Sequence, residues 1–494
     1  MPTVTLSQAE YDRLLGLEKE VALLKALLRL ERMEKYGRRS EKLTDDQLEL
    51  LDSEFGVTEA EVEKEAEIPA EACPLKVREH AGRNPLPAHL ERREEVIASD
   101  ADTRVCPCCG EARHVIGYEE REILDLEPVK YFVRVIKREK LACRKCPDAG
   151  VITAPAAGPK IVEKGKLSDA LVVDVLIKKY ASHLPVFRQQ ADMDRDYGID
   201  LSRNTINSAM MAAGELLIPL VKTLKADLLS GDYIQADETP VGVQSPKTKG
   251  RNHQAYEFQY SRPGGPVVFD FQMSRGRDGP AKFLRDYTGV LQCDGYTGYE
   301  KVGAPVMVRA GCMAHARRKF NDALKVDPQD KDAAGVIAMM AKLYAVEKEA
   351  REAGASPEER EELRQKRSRP ITEELKARIE KLSRKSLPSS KLGEACTYAL
   401  NQWPRLMVYL EHGRVEIDQN LCENSMRPVA LGRKNWLHIG SEGAGSKIAA
   451  ILSIFATCKR LGINLRDYLN DVLPKLPAWP VNKVAELSPL VWKG

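Results

Sequence analysis

The chain has 494 residues, 43% of them hydrophobic and 30% charged, with a net charge of +3 at pH 7. That length predicts about three domains at roughly 150 residues each. No apolar run approaches the ~18 residues a membrane span needs, and Met1 leads straight into a mixed polar and leucine pattern rather than a signal peptide, so a soluble, cytoplasmic protein without membrane partners is expected.

Residues 5–35 read as a helix with Leu14, Leu17, Val21, Leu24 and Leu28 at a/d spacing. Two readings stand: a dimerising zipper, or an amphipathic helix docked on its own chain. Gly37 ends the helix and Arg38-Arg39 adds a basic pair. Residues 45–72 are mostly acidic or apolar, with Lys64 the lone base. This segment reads as a linker and offsets basic surface elsewhere, so the near-neutral total says little about partners.

Residues 76–160 read as compact and β-rich, with strand-like alternation in Tyr131-Phe132-Val133-Arg134-Val135-Ile136. Cys106 and Cys109 form one CxxC pair and Cys143 and Cys146 a second, with 33 residues between the pairs. Two such knuckles brought together by a hairpin supply four thiolates in the tetrahedral arrangement of structural Zn²⁺. Cys108 competes with Cys109 as ligand, and His114 is a further substitute. A redox CxxC needs only one pair beside a helix. The odd total of 11 cysteines also favours a metal site plus free thiols over disulfides.

Residues 167–229 read as helical. Gly198 suits a tight turn, and Ser202 caps a helix running from Arg203 to about Leu217. That is the outline of a helix-turn-helix, with Arg203, Asn204 and Asn207 where base-reading side chains sit; an ordinary helical hairpin is the alternative. Strands are predicted at Tyr233–Val243, Ala255–Ser261 and Pro266–Ser274. A helix at Gly279–Tyr287 leads to a fourth strand, Gly289–Asp294, then a fifth, Pro305–Ala310, and a helix from His315. Residues 320–412 are charged and helical, broken at Pro328, Gly354, Pro357, Pro370 and Pro388, and Ile417–Leu473 is again mostly helical. This order matches a ribonuclease-H-like core interrupted by a helical insertion.

Two predicted strands end in acids, at Ala236-Asp237-Glu238 and Cys293-Asp294-Gly295. In such a core the two strands are neighbours, and close carboxylates repel unless a cation lies between them. A third acid is offered by Ile417–Pro428, where Glu423 and Arg427 are spaced to share a helix face. Asp232, Glu238, Asp270 and Asp418 are rivals by spacing alone. His315, Arg317, Arg318 and Lys319 on one helix start, and Arg427, Arg433 and Lys434 near Trp436, are candidate phosphate contacts; a solvated helix face, and for Trp436 a place in the core, are the alternatives.

Taken together, the motifs resemble the transposases of the insertion sequence 66 family. The matching stretches are Tyr36–Leu43, Cys106–Gly110 with Cys143–Cys146, Lys179–Pro185, Asp237–Val241, Leu291–Tyr296, Gly311–Phe320, Ile417–Pro428 and Leu431–Leu437. Tyr256-Glu257-Phe258 departs from the pattern, which has a Trp-containing stretch there. The resemblance implies a multidomain α+β protein: leucine-zipper-like helix (1–43), acidic linker (44–75), zinc-binding domain (76–160), helix-turn-helix domain (161–230), ribonuclease-H-like core (231–435, insertion about 321–412) and C-terminal helical element (436–494). It selects Asp237, Asp294 and Glu423 as the metal triad. Those acids would hold two Mg²⁺ or Mn²⁺ ions, beside structural Zn²⁺. The implied function is a DNA transposase that binds terminal repeats, cuts, and joins the 3′-OH to target DNA. It would act as a homo-oligomer, dimer or higher, with accessory proteins of the element, associated with a bacterial nucleoid. A nuclease or integrase on the same core, or a non-catalytic zinc-finger regulator, are the rival classes; the regulator has no use for three placed acids.

Overall fold

The computed structural model describes Glu10, Arg13 and Val21, then residues 130–142, 151–154, 158–163, 165–245 and 251–493. Glu10, Arg13 and Val21 are helical; the rest of the zipper-like segment, the acidic linker and Cys106, Cys109, Cys143 and Cys146 lie outside the described residues. Two compact units are present, one spanning Pro69–Ala156 and the other Met1–Ile68 with Ala157–Gly494.

In the smaller unit, β1 (Lys140–Ala142) pairs antiparallel with β2 (Val151–Thr153), Lys140 opposite Thr153. Arg138 Nε donates to the Ala154 carbonyl at 2.6 Å and extends the pairing. The connection between these strands carries Cys143 and Cys146 in its sequence. Residues 131–136, predicted as a strand, are not one. Phe132 and Val133 are 79% and 90% exposed. Alternation alone does not make a strand; that also takes a neighbouring strand to exchange backbone hydrogen bonds with.

The larger unit opens with α1 (Asp169–Tyr180), α2 (Val186–Tyr197) and α3 (Arg203–Ser230). Gly198 takes the left-handed conformation (φ 64°) that ends α2, with the Ile199 N–H returning to the Met193 carbonyl. Ser202 Oγ accepts from the Thr205 N–H at 3.3 Å and starts α3. The helix runs well past Leu217, through Pro219. Its buried stripe of Leu217, Leu220, Leu224 and Leu228 outweighs the hydrogen bond that the proline removes.

A five-stranded sheet follows, made of β3 (Tyr233–Val243), β4 (His253–Ser261), β5 (Val267–Gln272), β6 (Val290–Gln292) and β7 (Val308–Ala310). The order is β5-β4-β3-β6-β7. β4 runs antiparallel to both β3 and β5, while β6 runs parallel to both β3 and β7. On one face, α4 (Asp278–Leu284) stacks Phe283 on Tyr260 with ring centroids 3.7 Å apart.

The helical insertion comprises α5 (Met313–Val326), α6 (Lys331–Glu352), α7 (Pro357–Leu363), a π turn (Arg364–Ser368), α8 (Arg369–Lys385) and α9 (Lys391–Leu406). The predicted breakers act at its joints: Gly354 turns with φ 63°, Pro357 and Pro370 begin helices, and Pro388 separates α8 from α9. Phe320, Met340, Leu343, Ile379 and Trp403 share one core with Tyr233 and Val290 of the sheet. The insertion is therefore a packed layer against the parallel side of the sheet, and a structured one throughout.

After α10 (Asn420–Trp436), Ile439 bridges to Val243 and the chain enters α11 (Glu442–Arg460) and α12 (Leu465–Val472). α11 seals the β5 edge. Ser453 Oγ accepts from the Phe269 N–H at 2.8 Å, and Thr457 Oγ1 accepts from the Val267 N–H at 3.0 Å. Gly445 permits this approach, because a Cβ there would lie 2.2 Å from the Phe271 ring.

Candidate active site

The sheet register locates the two aspartates. Gln235 of β3 pairs with Gln292 of β6 in parallel. Asp237 and Asp294 each lie two residues further on; strand alternation sets Asp237 on the face that carries Gln235, and Asp294 follows just past the end of β6. Those glutamine side chains do meet, Gln235 Nε2 donating to Gln292 Oε1 at 3.1 Å. Glu423 arrives in the first turn of α10, 3% exposed. Asp237 lies near enough to both Glu423 and Asp294 for their carboxylates to act on it.

Closing the site across the insertion falls to residues that the sequence reading passed over. Gln235 Nε2 donates to the Asp418 carbonyl at 3.0 Å, and Gln292 Nε2 to the carbonyls of Glu416 at 2.8 Å and Gly311 at 2.9 Å. Tyr233 joins the network: its hydroxyl donates to Gln292 Oε1 and accepts from Gln235 Nε2 at 2.8 Å and the Glu416 N–H at 3.2 Å. The loop that leads into α10 is hydrogen-bonded to the same two strands whose sequences lead to the aspartates. A signal existed in the sequence: Gln235-Ala236-Asp237 and Gln292-Cys293-Asp294 repeat one pattern, a polar residue inside an apolar strand two positions before an acid. Gln235→Leu strands the Asp418 carbonyl and part of the tyrosine network. It is expected to cost about 1–3 kcal/mol in urea unfolding and to weaken Mn²⁺ binding measured by electron paramagnetic resonance. A stability loss with unchanged Mn²⁺ affinity would show that the glutamine supports the fold alone.

Charge is concentrated here. Burial first, then the carboxylates of Glu423, Glu238 and Asp294, push Asp237 well above the usual carboxylate range. Burial pushes Glu423 up to about 7, opposed by Arg318 and reinforced by Asp418 and Asp294. Arg318 Nη2 donates to Glu423 Oε2 at 3.2 Å, and His315 Nδ1 lies 3.5 Å from Glu423 Oε1. Burial, with Arg318 and Lys319 nearby, lowers His315 to about 4, so its imidazole is neutral at pH 7. Carboxylate oxygens are hard donors, the kind that suits divalent ions of the magnesium class.

The rival acids have other work. Glu238 points to the opposite sheet face, where Arg275 Nη2 donates to it at 2.6 Å and the Tyr299 hydroxyl at 2.9 Å. Asp418 Oδ1 accepts from the Asn420 N–H at 3.0 Å at the start of α10. Asp232 pairs with Arg414 at 3.1 Å at the far end of β3, and Asp270 accepts from Gln272 Nε2 at 2.6 Å.

The basic candidates divide. Lys319 and Lys434 are exposed, and Arg318 and Arg427 are half-buried near Glu423 and on its helix. Arg317 is 3% exposed on the core side of α5, so it is not presented to a phosphate. Periodicity decides this: Phe320, on the same face three residues later, is fully buried. Arg433 Nη1 donates to Thr239 Oγ1 at 2.7 Å and the Pro240 carbonyl at 2.8 Å, tying α10 to β3. Trp436 is half-buried and folds back over Gly432. At the head of α3, Arg203 and Asn204 are exposed and Asn207 is half-buried. Asn204 lines a cleft of about 390 Å³ with Val162, Gly165 and Lys166.

A family profile described as transposase IS66 family matches residues 164–447, more than half of the chain and the whole of this site. The chain belongs to the IS66 family of transposases. Further profiles of that family match the zinc-finger binding domain of transposase IS66 at 103–147, the IS66 C-terminal element at 453–490, and a segment described as transposase C of IS166 homeodomain at 23–94. Two uncharacterized proteins of Sinorhizobium fredii (strain NBRC 101917 / NGR234) are similar along their length. The protein y4jD is 33% identical over 97% of this chain and 95% of its own, and y4qI is 33% identical over 98% and 92%. For an IS66-family chain with a zinc-finger domain the partner is DNA. No described helix is long and apolar enough to cross a membrane.

Proposed function

We propose that this IS66-family protein is a DNA transposase of the Asp-Asp-Glu type, with Asp237, Asp294 and Glu423 as the residues that hold two divalent ions. The observation that carries the reading is the parallel register of β3 and β6, Gln235 opposite Gln292 with Asp237 and Asp294 each two residues further on, together with a buried Glu423 in the first turn of α10. The strand order, antiparallel on one side of β3 and parallel on the other, supports a ribonuclease-H-like core. The Asp237 and Glu423 carboxyls, raised first by burial and then by neighbouring carboxylates, support cation binding, because a cation offsets both the desolvation and the repulsion.

Bound Mg²⁺ or Mn²⁺ supplies an activated water or 3′-OH and stabilises the departing 3′ oxygen. The chain's own groups set the geometry. Arg318 fixes one oxygen of Glu423, while the Gln235–Gln292 pair fixes the loop below it. Neutral His315 faces the other oxygen and adds no competing positive charge. Lys319 and Lys434 are exposed and serve as phosphate contacts. Arg203, Asn204 and Asn207 at the head of α3 read the element end, and Cys106, Cys109, Cys143 and Cys146 hold structural Zn²⁺. Cutting exposes a 3′-OH, and the same site directs that 3′-OH into target DNA with no covalent protein–DNA intermediate. The zipper-like helix would join protomers, and the element's accessory proteins would complete the assembly.

Incubation with Mn²⁺, labelled end DNA and a target plasmid tests this directly. Joined product is expected. Cutting without joining would assign the protein to a nuclease class on the same core.

A further inference from the structure

We infer that Cys312, His315 and Glu423 form a second cation site, one that takes a soft divalent ion of the zinc class and thereby withdraws Glu423 from the hard-metal triad. The inference rests on the reading of Glu423 as a Mg²⁺ or Mn²⁺ ligand. One donor atom from each residue lies within 4.8 Å of the other two. Donors around tetrahedral Zn²⁺ stand roughly 3.3–3.8 Å apart, given its bond lengths, and His315 Nδ1 and Glu423 Oε1 are already 3.5 Å apart.

These two atoms are the independent sign of a ligand. Both are buried, and neither has a hydrogen-bond partner. Glu423 is almost wholly enclosed, and its other oxygen is held by Arg318, so Oε1 is aimed into the gap. Buried carboxylate oxygens are seldom left unpaired. Cys312 caps the start of α5, three residues before His315, which brings both side chains over one turn. Its Sγ accepts from the Gln419 N–H at 3.4 Å. An N–H···S bond of this kind supports a metal-bound thiolate.

Chemistry separates the two sites. Asp237 and Asp294 offer oxygen only and suit hard ions, whereas a thiol, an imidazole and one carboxylate select zinc over magnesium. Binding forms a metal–sulfur bond, breaks the S–H bond and releases that proton to solvent. His315 contributes the Nδ1 lone pair with its proton on Nε2. Because Glu423 serves both sites, filling the soft site opposes DNA cutting.

The test uses full-length, zinc-replete protein titrated with Cd²⁺ and followed by thiolate-to-cadmium ultraviolet absorbance. Wild type is expected to show one increment that Cys312→Ser lacks. His315→Gln, which keeps the thiol, should need at least about ten-fold more Cd²⁺ for that increment. In Mg²⁺-dependent end cleavage, buffered free Zn²⁺ should inhibit wild type at a concentration at least about ten-fold below that for Cys312→Ser. Identical cadmium titrations and zinc midpoints in the three proteins would overturn the inference. If no Mg²⁺-dependent cleavage is found in any of them, the triad reading fails, and the absorbance increment still decides the soft site by itself.

Discussion

Asp237→Asn is expected to lose Mg²⁺- or Mn²⁺-dependent end cleavage and strand transfer by roughly 10³-fold or more, while binding element-end DNA as wild type does. The side chain keeps its shape, so the loss reports the negative charge. The same substitution should raise the thermal stability of the metal-free protein. Asp237 is pushed up by burial and by Glu423, Glu238 and Asp294, and removing its charge relieves that repulsion. The sign of the pH dependence follows. Glu423 in the folded protein titrates at about 7, well above an unfolded glutamate, so the folded state retains a proton that the unfolded chain has already released. Stability without metal is therefore greatest in acid and falls as pH rises from the ordinary carboxylate range through about 7. Glu423 alone contributes ~3 kcal/mol of that fall. Added Mg²⁺ needs ionised carboxylates, so it should stabilise wild type more at pH 8 than at pH 5. Thermal unfolding with and without Mg²⁺ at both pH values, beside a gel cleavage assay, checks each part. Retained strand transfer in Asp237→Asn would remove Asp237 from the triad.

Glu347→Leu is expected to destabilise the protein by about 3–5 kcal/mol, because it leaves a buried guanidinium without its counter-charge. Arg364 and Glu347 are each 1% exposed. Arg364 Nε and Nη2 donate to the two oxygens of Glu347 at 2.7 and 2.6 Å, while Nη1 donates to the carbonyls of Tyr409 at 2.7 Å and His412 at 3.0 Å. Burial alone would raise Glu347, yet Arg364 and Arg360 hold it below its usual value. Arg360 continues the chain of contacts to Glu416 at 3.0 and 3.1 Å, and the Glu416 carbonyl accepts from Gln292. Charge in the π turn of the insertion is thus connected, bond by bond, to the loop that delivers Glu423. The double variant Glu347→Leu/Arg364→Leu removes both charges together and should be clearly more stable than Glu347→Leu alone. Denaturant unfolding of the three variants measures this. Equal losses in the single and double variants would mean that the cost is one of packing, with no stranded charge.

Much of the active-site sheet was legible from alternation and turn residues. The strand predicted at Tyr233–Val243 is β3, and the others lie within two or three residues of β4 to β7. Predicted breakers in the insertion fall at its helix joints, because proline and glycine act on the backbone wherever they stand. Two kinds of error have physical causes. Residues 131–136 alternate like a strand but form none, with Phe132 and Val133 exposed, and α3 passes through Pro219 because its buried leucines outweigh one lost bond. Arg317 was grouped with its basic neighbours, although helical period turns it inward, toward the side of Phe320.

By itself, the sequence determined which residues are candidates for the chemistry: acids after apolar strands, paired cysteines, a basic helix start, and the motifs of the family. Only the tertiary structure decided where the acids lie. Asp237, Glu238, Asp294, Asp418 and Glu423 are equivalent as letters. They separate because a strand sends neighbours to opposite faces, and because β3 and β6 share one register. The return of the chain across the insertion was the least readable step, since no local signal measures a contact between Gln235 and the Asp418 carbonyl, 183 residues away. Buried amides and paired charges hold that return, and their partners are fixed only once the chain has folded.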